Sequence, residues 1–200
     1  LLTIVVGNLT VGGTGKTPII IYLAKLLKEQ GLKPGIISRG YLSKSKSYPL
    51  LLKTDTPIED SGDEPAIMFR NSQCPVVIGP NRIQAAKYLM ENTDSNVILS
   101  DDGLQHFSLG RDIEILMIDG NRKFGNQLLL PAGPLREPKS RVKTVDFIIS
   151  SNRKWSSIAN YEMKYRPFKW VHMKSQKEYD IFDWPLKKEV NAVAGIGNPS

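Results

Sequence analysis

Gly12-Gly13-Thr14-Gly15-Lys16-Thr17 is a run whose chemistry is the holding of phosphate. Glycines let the backbone curl so that successive N–H groups point inward at phosphate oxygens. Lys16 can reach the β/γ-phosphates of a nucleotide, and the Thr17 hydroxyl is a ligand for Mg²⁺. The elements that must aim these groups flank the run. Thr3 to Val6 reads as a short buried strand, and IIIYLAKLL keeps an apolar face at helical spacing. A helix opening there adds unsatisfied amides and its positive dipole end. Pro18 fits the first turn, where no N–H is needed. Strand, glycine loop, Lys-Thr and helix form the phosphate cradle of P-loop nucleotide-binding proteins, with Thr10, Val11, Gly12, Gly13, Thr14, Gly15, Lys16 and Thr17 as the nucleotide contacts. One position departs from G-x-x-x-x-G-K-[ST]: Thr10 stands where the first glycine belongs.

Three further groups have the residue types for chemistry. Asp101-Asp102-Gly103-Leu104-Gln105-His106 follows the apolar run Val97 to Ser100. Acidic residues at a strand end beside such a cradle hold Mg²⁺, directly or through water. The same letters spell a tight Asp-Gly turn, but adjacent carboxylates repel unless a cation sits nearby, which favours metal. His106 either orients a carboxylate, contacts substrate, or is an ordinary turn residue. Asp63-Glu64 is a second acidic pair. Ser61 and Glu64 have the S-x-x-E spacing of a capping box, and on the residues alone a helix cap leads. Arg136-Glu137, in LLLPAGPLREP, is a third candidate, open to the reading of a proline-kinked loop. Arg82 and Arg111 either neutralise phosphate charge or lie on the surface without a role.

The elements around these groups alternate. A helix from about Thr17 to Gln30 stops at Gly31. Short strands follow at Gly35 to Ser38, near Tyr48 to Lys53, and at Pro75 to Ile78, Val97 to Ser100, Ile113 to Ile118 and Val145 to Ser150. Helices open near Asp63 and at IQAAKYLMEN. The pattern predicts an α/β fold, a mostly parallel sheet with helices on both faces. The long loop Asn121 to Thr144 has a length usual for a functional or a disordered segment. From about Ser151 the texture changes, and WSSIANYEMKYRPFKWVHM alternates like a pair of antiparallel strands. The expected division is a nucleotide-binding core over 1–150, a β-rich linker over 151–188, and at 189–200 the start of a second α/β subdomain, with a strand from Glu189 to Ala194.

Composition narrows the partners. The 27 basic against 20 acidic residues give a net charge of +7, which favours anionic partners such as nucleic acid, an acidic membrane leaflet or phosphorylated substrates without choosing among them. Cys74 is the only cysteine, so no disulfide forms within the chain, consistent with a reducing compartment. No signal peptide and no run of 18 apolar residues is present. The absence of an initiator Met, with Leu1 at the mouth of a strand, is expected of a fragment. The [NT]-K-x-D motif of many switch GTPases is absent, which weighs against a switch or motor NTPase as the alternative. No known nucleic-acid motif supports a nucleic-acid partner.

NLTVGGTGKTP, SRGY, GDEP, the GPNR segment, DDGLQH, LLPAGPLREP and GIGNP occur in that order from Thr3 to Pro199. Together they resemble the tetraacyldisaccharide 4′-kinase family, the lipid A 4′-kinases of Gram-negative bacteria. GKTP is generic to P-loop proteins, whereas DDGLQH with PAGPLREP is specific, and Ser or Thr at the position of Thr10 is the family's habit. The resemblance implies transfer of the γ-phosphoryl of ATP, with Mg²⁺, to the 4′-hydroxyl of a lipid disaccharide 1-phosphate. It implies work at the cytoplasmic face of the bacterial inner membrane, with the anchor expected before Leu1 and a His-containing segment after Ser200. It implies Asp63 as the base, Asp101 and Asp102 as metal ligands with Thr17 and Glu137, and Lys16, Arg82, Gln105 and His106 as active-site residues.

Overall fold

The computed structural model describes residues 1–167 and 169–183. It divides into two compact units, Leu1–Met163 and Lys164–Ser200. The first is built from strands β1 (Leu2–Gly7), β2 (Pro34–Ser38), β3 (Leu50–Leu51), β4 (Val76–Ile78), β5 (Val97–Asp101), β6 (Ile113–Asp119), β7 (Phe147–Ser151) and β8 (Tyr161–Met163), with helices α1 (Lys16–Glu29), α2 (Ile58–Ser61), α3 (Asp63–Ser72) and α4 (Arg82–Asn92). The strands form one sheet in the order β3-β4-β2-β5-β1-β6-β7-β8. Every pairing is parallel except that of the two-residue edge strand β3 with β4.

A parallel sheet covered on both faces needs apolar side chains on both, and the central strands supply them. Ile4, Val6, Ile36, Leu99 and Met117 turn to one face, where α1 contributes Ile19, Ile20 and Ala24 and α3 contributes Met68. Val5, Ile37, Ile98, Leu116 and Ile118 turn to the other, where α4 brings Ala85, Ala86 and Leu89. The rest of this second face is covered by irregular chain: Leu104 and Leu109 from the DDGLQH loop, and Phe124 and Leu135 from the loop after β6. That loop is therefore an ordered layer of the core, ending in a 3₁₀ turn at Lys139–Lys143.

The sheet continues past residue 150. Tyr161–Met163 adds a parallel edge strand to β7, and among the described residues the expected antiparallel pair within 155–173 does not form. In the second unit the antiparallel pair lies further along, between β9 (Lys169–Val171) and β10 (Glu178–Asp180), where Trp170 Nε1 donates to Ile181 O at 3.0 Å. The strand expected from Glu189 to Ala194 lies outside the described residues. Among the described residues, no helix is long and apolar enough to cross a membrane.

Candidate active site

The cradle follows β1, Arg82 opens α4 after β4, Asp101 to Arg111 close and follow β5, and Arg136-Glu137 lie in the loop after β6, at the carboxyl ends of parallel strands where open α/β sheets bind ligands, while Asp63-Glu64 open α3. The cradle leaves β1 at Gly7 and enters α1 through Gly15, whose φ of 89° is the left-handed conformation that a residue with a Cβ resists. No side chain caps α1, so its first amides are left for a ligand. Thr14 is buried, and its hydroxyl has no partner. Thr10 explains its own departure from the motif. It sits in an antiparallel bridge with Leu135, an extended role that needs no glycine, and Val11 N donates to Pro134 O at 2.9 Å.

Lys16 is held across the cradle mouth. Its ammonium donates to Asn8 Oδ1 at 3.1 Å and lies 3.6 Å from Asp102 Oδ1. Arg136 grips the same carboxylate with both arms, at 3.0 and 2.9 Å, and also donates to the Asn8 side chain and main chain. Burial pushes the Asp102 carboxyl up, but Arg136 and Lys16 outweigh it and hold the group below the usual carboxylate range. Asp101 is the opposite case. It is 3% exposed, and burial, with the charge of Glu64 next, pushes its pKa up to about 6. Ser38 donates to Asp101 Oδ2 at 2.9 Å, while Oδ1 is buried with no partner. An unpartnered buried carboxylate oxygen beside a phosphate cradle is suited to a cation or its water.

The four expected metal ligands are not equivalent. Thr17 lies half-buried on the first turn of α1, and Asp101 offers its unpartnered oxygen. Asp102 is committed to Arg136 and Lys16. Both Glu137 oxygens are taken, by Gln105 Nε2 at 2.5 Å and Arg141 Nε at 3.2 Å. Among the described residues, no three His, Cys, Asp or Glu side chains converge as a ready-made metal site. A Mg²⁺ here would rest on Thr17 and Asp101 plus phosphate and water, the sparse protein ligation usual for that ion.

Arg82 is not poised on the surface. It is 3% exposed, its arms donate to Gly79 O and Asp101 O at 3.0 Å each, and burial lowers its pKa to about 10 despite Asp101. It buttresses the end of β5. Arg111 likewise serves the main chain of the DDGLQH loop, donating to Leu104 O, Leu109 O and His106 O, and it pairs with Glu114 at 2.9 Å. His106 is half-buried, and burial followed by the charge of Arg82 lowers its pKa, favouring the neutral ring.

The capping box does not form. Ser61 belongs to the last turn of α2, its hydroxyl donating to Ile58 O and Gly62 O, and the N-cap of α3 is Gly62 with no side-chain cap. Gly62 has φ 80°, and a Cβ there would meet Tyr41 O at 2.6 Å, so only glycine lets the chain pass the SRGY loop. Asp63 and Glu64 thus start α3 exposed and without a capping task, and the effect of Glu64 on Asp101 places this turn within electrostatic reach of the cradle.

Asn8, Ser38 and Arg122 join the site without standing out in the sequence. Asn8 carried one signal, its place between strand and glycine loop. Ser38 had the parallel position at the end of β2. Arg122 follows the Asp119 turn, where Asp119 accepts from Asn121 N, Arg122 N and Arg122 Nε, and its guanidinium reaches back to Gly13 O.

Known proteins extend this picture. Tetraacyldisaccharide 4′-kinase of Legionella pneumophila strain Corby is 50% identical over 198 residues, and that of Hahella chejuensis is 44% identical over 196. These alignments take in 98% of this chain but 59% and 58% of the relatives, so the chain spans under two thirds of their length. A crystal structure of LpxK from Aquifex aeolicus in complex with ATP is 30% identical with a TM-score of 0.73, covering 90% of this chain and 59% of that one. The family model described as tetraacyldisaccharide-1-P 4′-kinase, LpxK, matches residues 1–200, and the chain belongs to that family.

Proposed function

We propose that this chain carries the nucleotide-binding core of an ATP-dependent kinase that phosphorylates the 4′-hydroxyl of tetraacyldisaccharide 1-phosphate in lipid A synthesis. The observation that carries the reading is the uncapped GTGKT loop with Lys16 and Arg136 drawn up at its mouth around Asp102. Both cations are of the kind phosphates recruit, and their present partners are an amide and a carboxylate that phosphate oxygens can replace.

The 4′-oxygen attacks the γ-phosphorus as the bond from that phosphorus to the β,γ-bridging oxygen breaks, and ADP leaves. The proton of the 4′-hydroxyl passes to the Asp63 carboxylate, which is exposed at the start of α3. Cradle amides and Lys16 hold the β- and γ-phosphates in line, so catalysis is chiefly positioning and charge neutralisation. Thr17 and Asp101 would hold Mg²⁺, which supplies charge neutralisation at the phosphates when bound. Arg82 and Gln105 keep Asp101 and Glu137 in place, and His106 lines the site as a neutral ring. The net charge of +7 suits an anionic substrate presented at the cytoplasmic face of the inner membrane.

The test is ATP consumption by the full-length parent with and without tetraacyldisaccharide 1-phosphate. Turnover should depend on the lipid, and Lys16→Ala should reduce it by on the order of 10²–10³-fold, the effect of removing a preorganised charge-stabilising donor. Lipid-independent hydrolysis would instead support a switch or motor NTPase.

A further inference from the structure

Asn8 is wholly buried, at 0% exposure, and every polar atom beyond its own N–H is in use. Its Nδ2 donates to Thr10 O at 2.6 Å and Gly12 O at 3.2 Å. Its Oδ1 accepts from Lys16 at 3.1 Å and from Arg136. Its main-chain oxygen accepts from Gln105 at 3.2 Å and Arg136 at 3.0 Å. The partners fix which way the amide faces: two carbonyls require the nitrogen on one side, and two cations require the oxygen on the other. No other side chain of that size supplies both halves. Asp would turn an oxygen toward the carbonyls, and Leu would offer neither group.

The donor half acts on the loop. A peptide plane is rigid, so fixing a carbonyl also fixes the N–H on its far side. Holding Thr10 O therefore aims Val11 N–H, which meets Pro134 O, and holding Gly12 O aims the N–H of Gly13. The acceptor half acts on Lys16, keeping the ammonium at the cradle mouth rather than in solvent.

We propose that Asn8 is the positioning residue of the phosphate cradle, setting the Thr10–Val11 and Gly12–Gly13 peptide planes with its N–H groups and seating Lys16 with its carbonyl until a nucleotide phosphate takes the ammonium over. This rests on the ATP-binding reading above. The Asn8 side chain is engaged with Thr10, Gly12, Lys16 and Arg136. Its role is exercised through the loop and the lysine, so it shows in ATP affinity ahead of any other step.

The experiment uses the full-length protein with Asn8→Asp and Asn8→Ala, each measured by calorimetric titration with ATP, by thermal melting, and by the KM values for ATP and lipid. Both variants should bind ATP about tenfold or more weakly, the loss of two or more buried hydrogen bonds. The KM for ATP should rise while that for lipid stays within about twofold. A lowered melting temperature with ATP affinity intact would make Asn8 a fold residue only and overturn the proposal. If neither variant folds, the wild-type side-chain amide decides: its N–H signals should exchange slowly with solvent both free and ATP-bound, and fast exchange in either state overturns the proposal. A wild type that binds ATP but leaves the lipid untouched would remove the kinase reading and leave Asn8 to be judged on affinity.

Discussion

The phosphate cradle and the first turn of α3 lie at the same edge of one sheet, and they are furnished in opposite ways. At the mouth of the cradle the cationic side chains already have partners. Lys16 is on Asn8 and Asp102, Arg136 on the same two, Arg122 on Gly13 and Asp119. At α3, Asp63 is exposed, and the N-cap position is held by Gly62 with no side-chain cap. These cations rest on internal oxygens in place of phosphate, which keeps them paired until a ligand arrives. The group assigned to take a proton has no capping partner to give up.

Asp63→Asn sharpens this contrast most. Asn has nearly the same shape and cannot accept the proton, so turnover of the full-length enzyme should fall by roughly 10²–10⁴-fold. Because Asp63 caps nothing, the melting temperature should stay near wild type, and ATP affinity should hold because the cradle is untouched. Full turnover in the Asp63→Asn variant would return Asp63 to a surface residue.

Arg136→Lys probes the crowded side. Lysine keeps the charge but cannot bridge both Asp102 oxygens and Asn8 at once. ATP affinity by calorimetry should weaken roughly tenfold, the worth of one charge-assisted hydrogen bond. An unchanged affinity would mean the bidentate grip does not organise the cradle.

Legibility followed how the chemistry is written along the chain. The cradle is contiguous, so Gly12 to Thr17 between a strand and a helix could be read directly, and so could the strand ends at Asp101 and the helix starts. The strap across it could not. Arg136 meets Asn8 from 128 residues away, and nothing in either segment names the other. The Thr10 exception became intelligible only with its Leu135 bridge. The capping box misled because the S-x-x-E spacing is local and α2 is too: Ser61 completes that helix before it can cap the next. Tyr161–Met163 was hidden by its shortness, three residues whose aromatic alternation suits an antiparallel pair as well as a parallel edge. Arg82 was misjudged in exposure, because a guanidinium can be buried when main-chain carbonyls receive it.

Glu114→Gln gives the smallest effect on the site itself. Glu114 pairs with Arg111 and Arg141, and Arg111 in turn holds the main chain of the DDGLQH loop. Both arginines keep other partners when the charge is removed, so the loss should be about 1–3 kcal/mol of stability in urea unfolding. ATP affinity should move less than with Arg136→Lys. A larger loss of affinity than stability would put Glu114 in the cradle's own network.

The most direct measurement is the position of the transferred phosphate. Full-length protein, ATP, Mg²⁺ and tetraacyldisaccharide 1-phosphate are incubated, and the lipid product is analysed by ³¹P and ¹H NMR. One new phosphomonoester is expected, on the 4′-oxygen, formed mole for mole with ADP and absent with Lys16→Ala. Phosphate on another oxygen, or released to water while the lipid remains unchanged, would contradict the 4′-kinase reading.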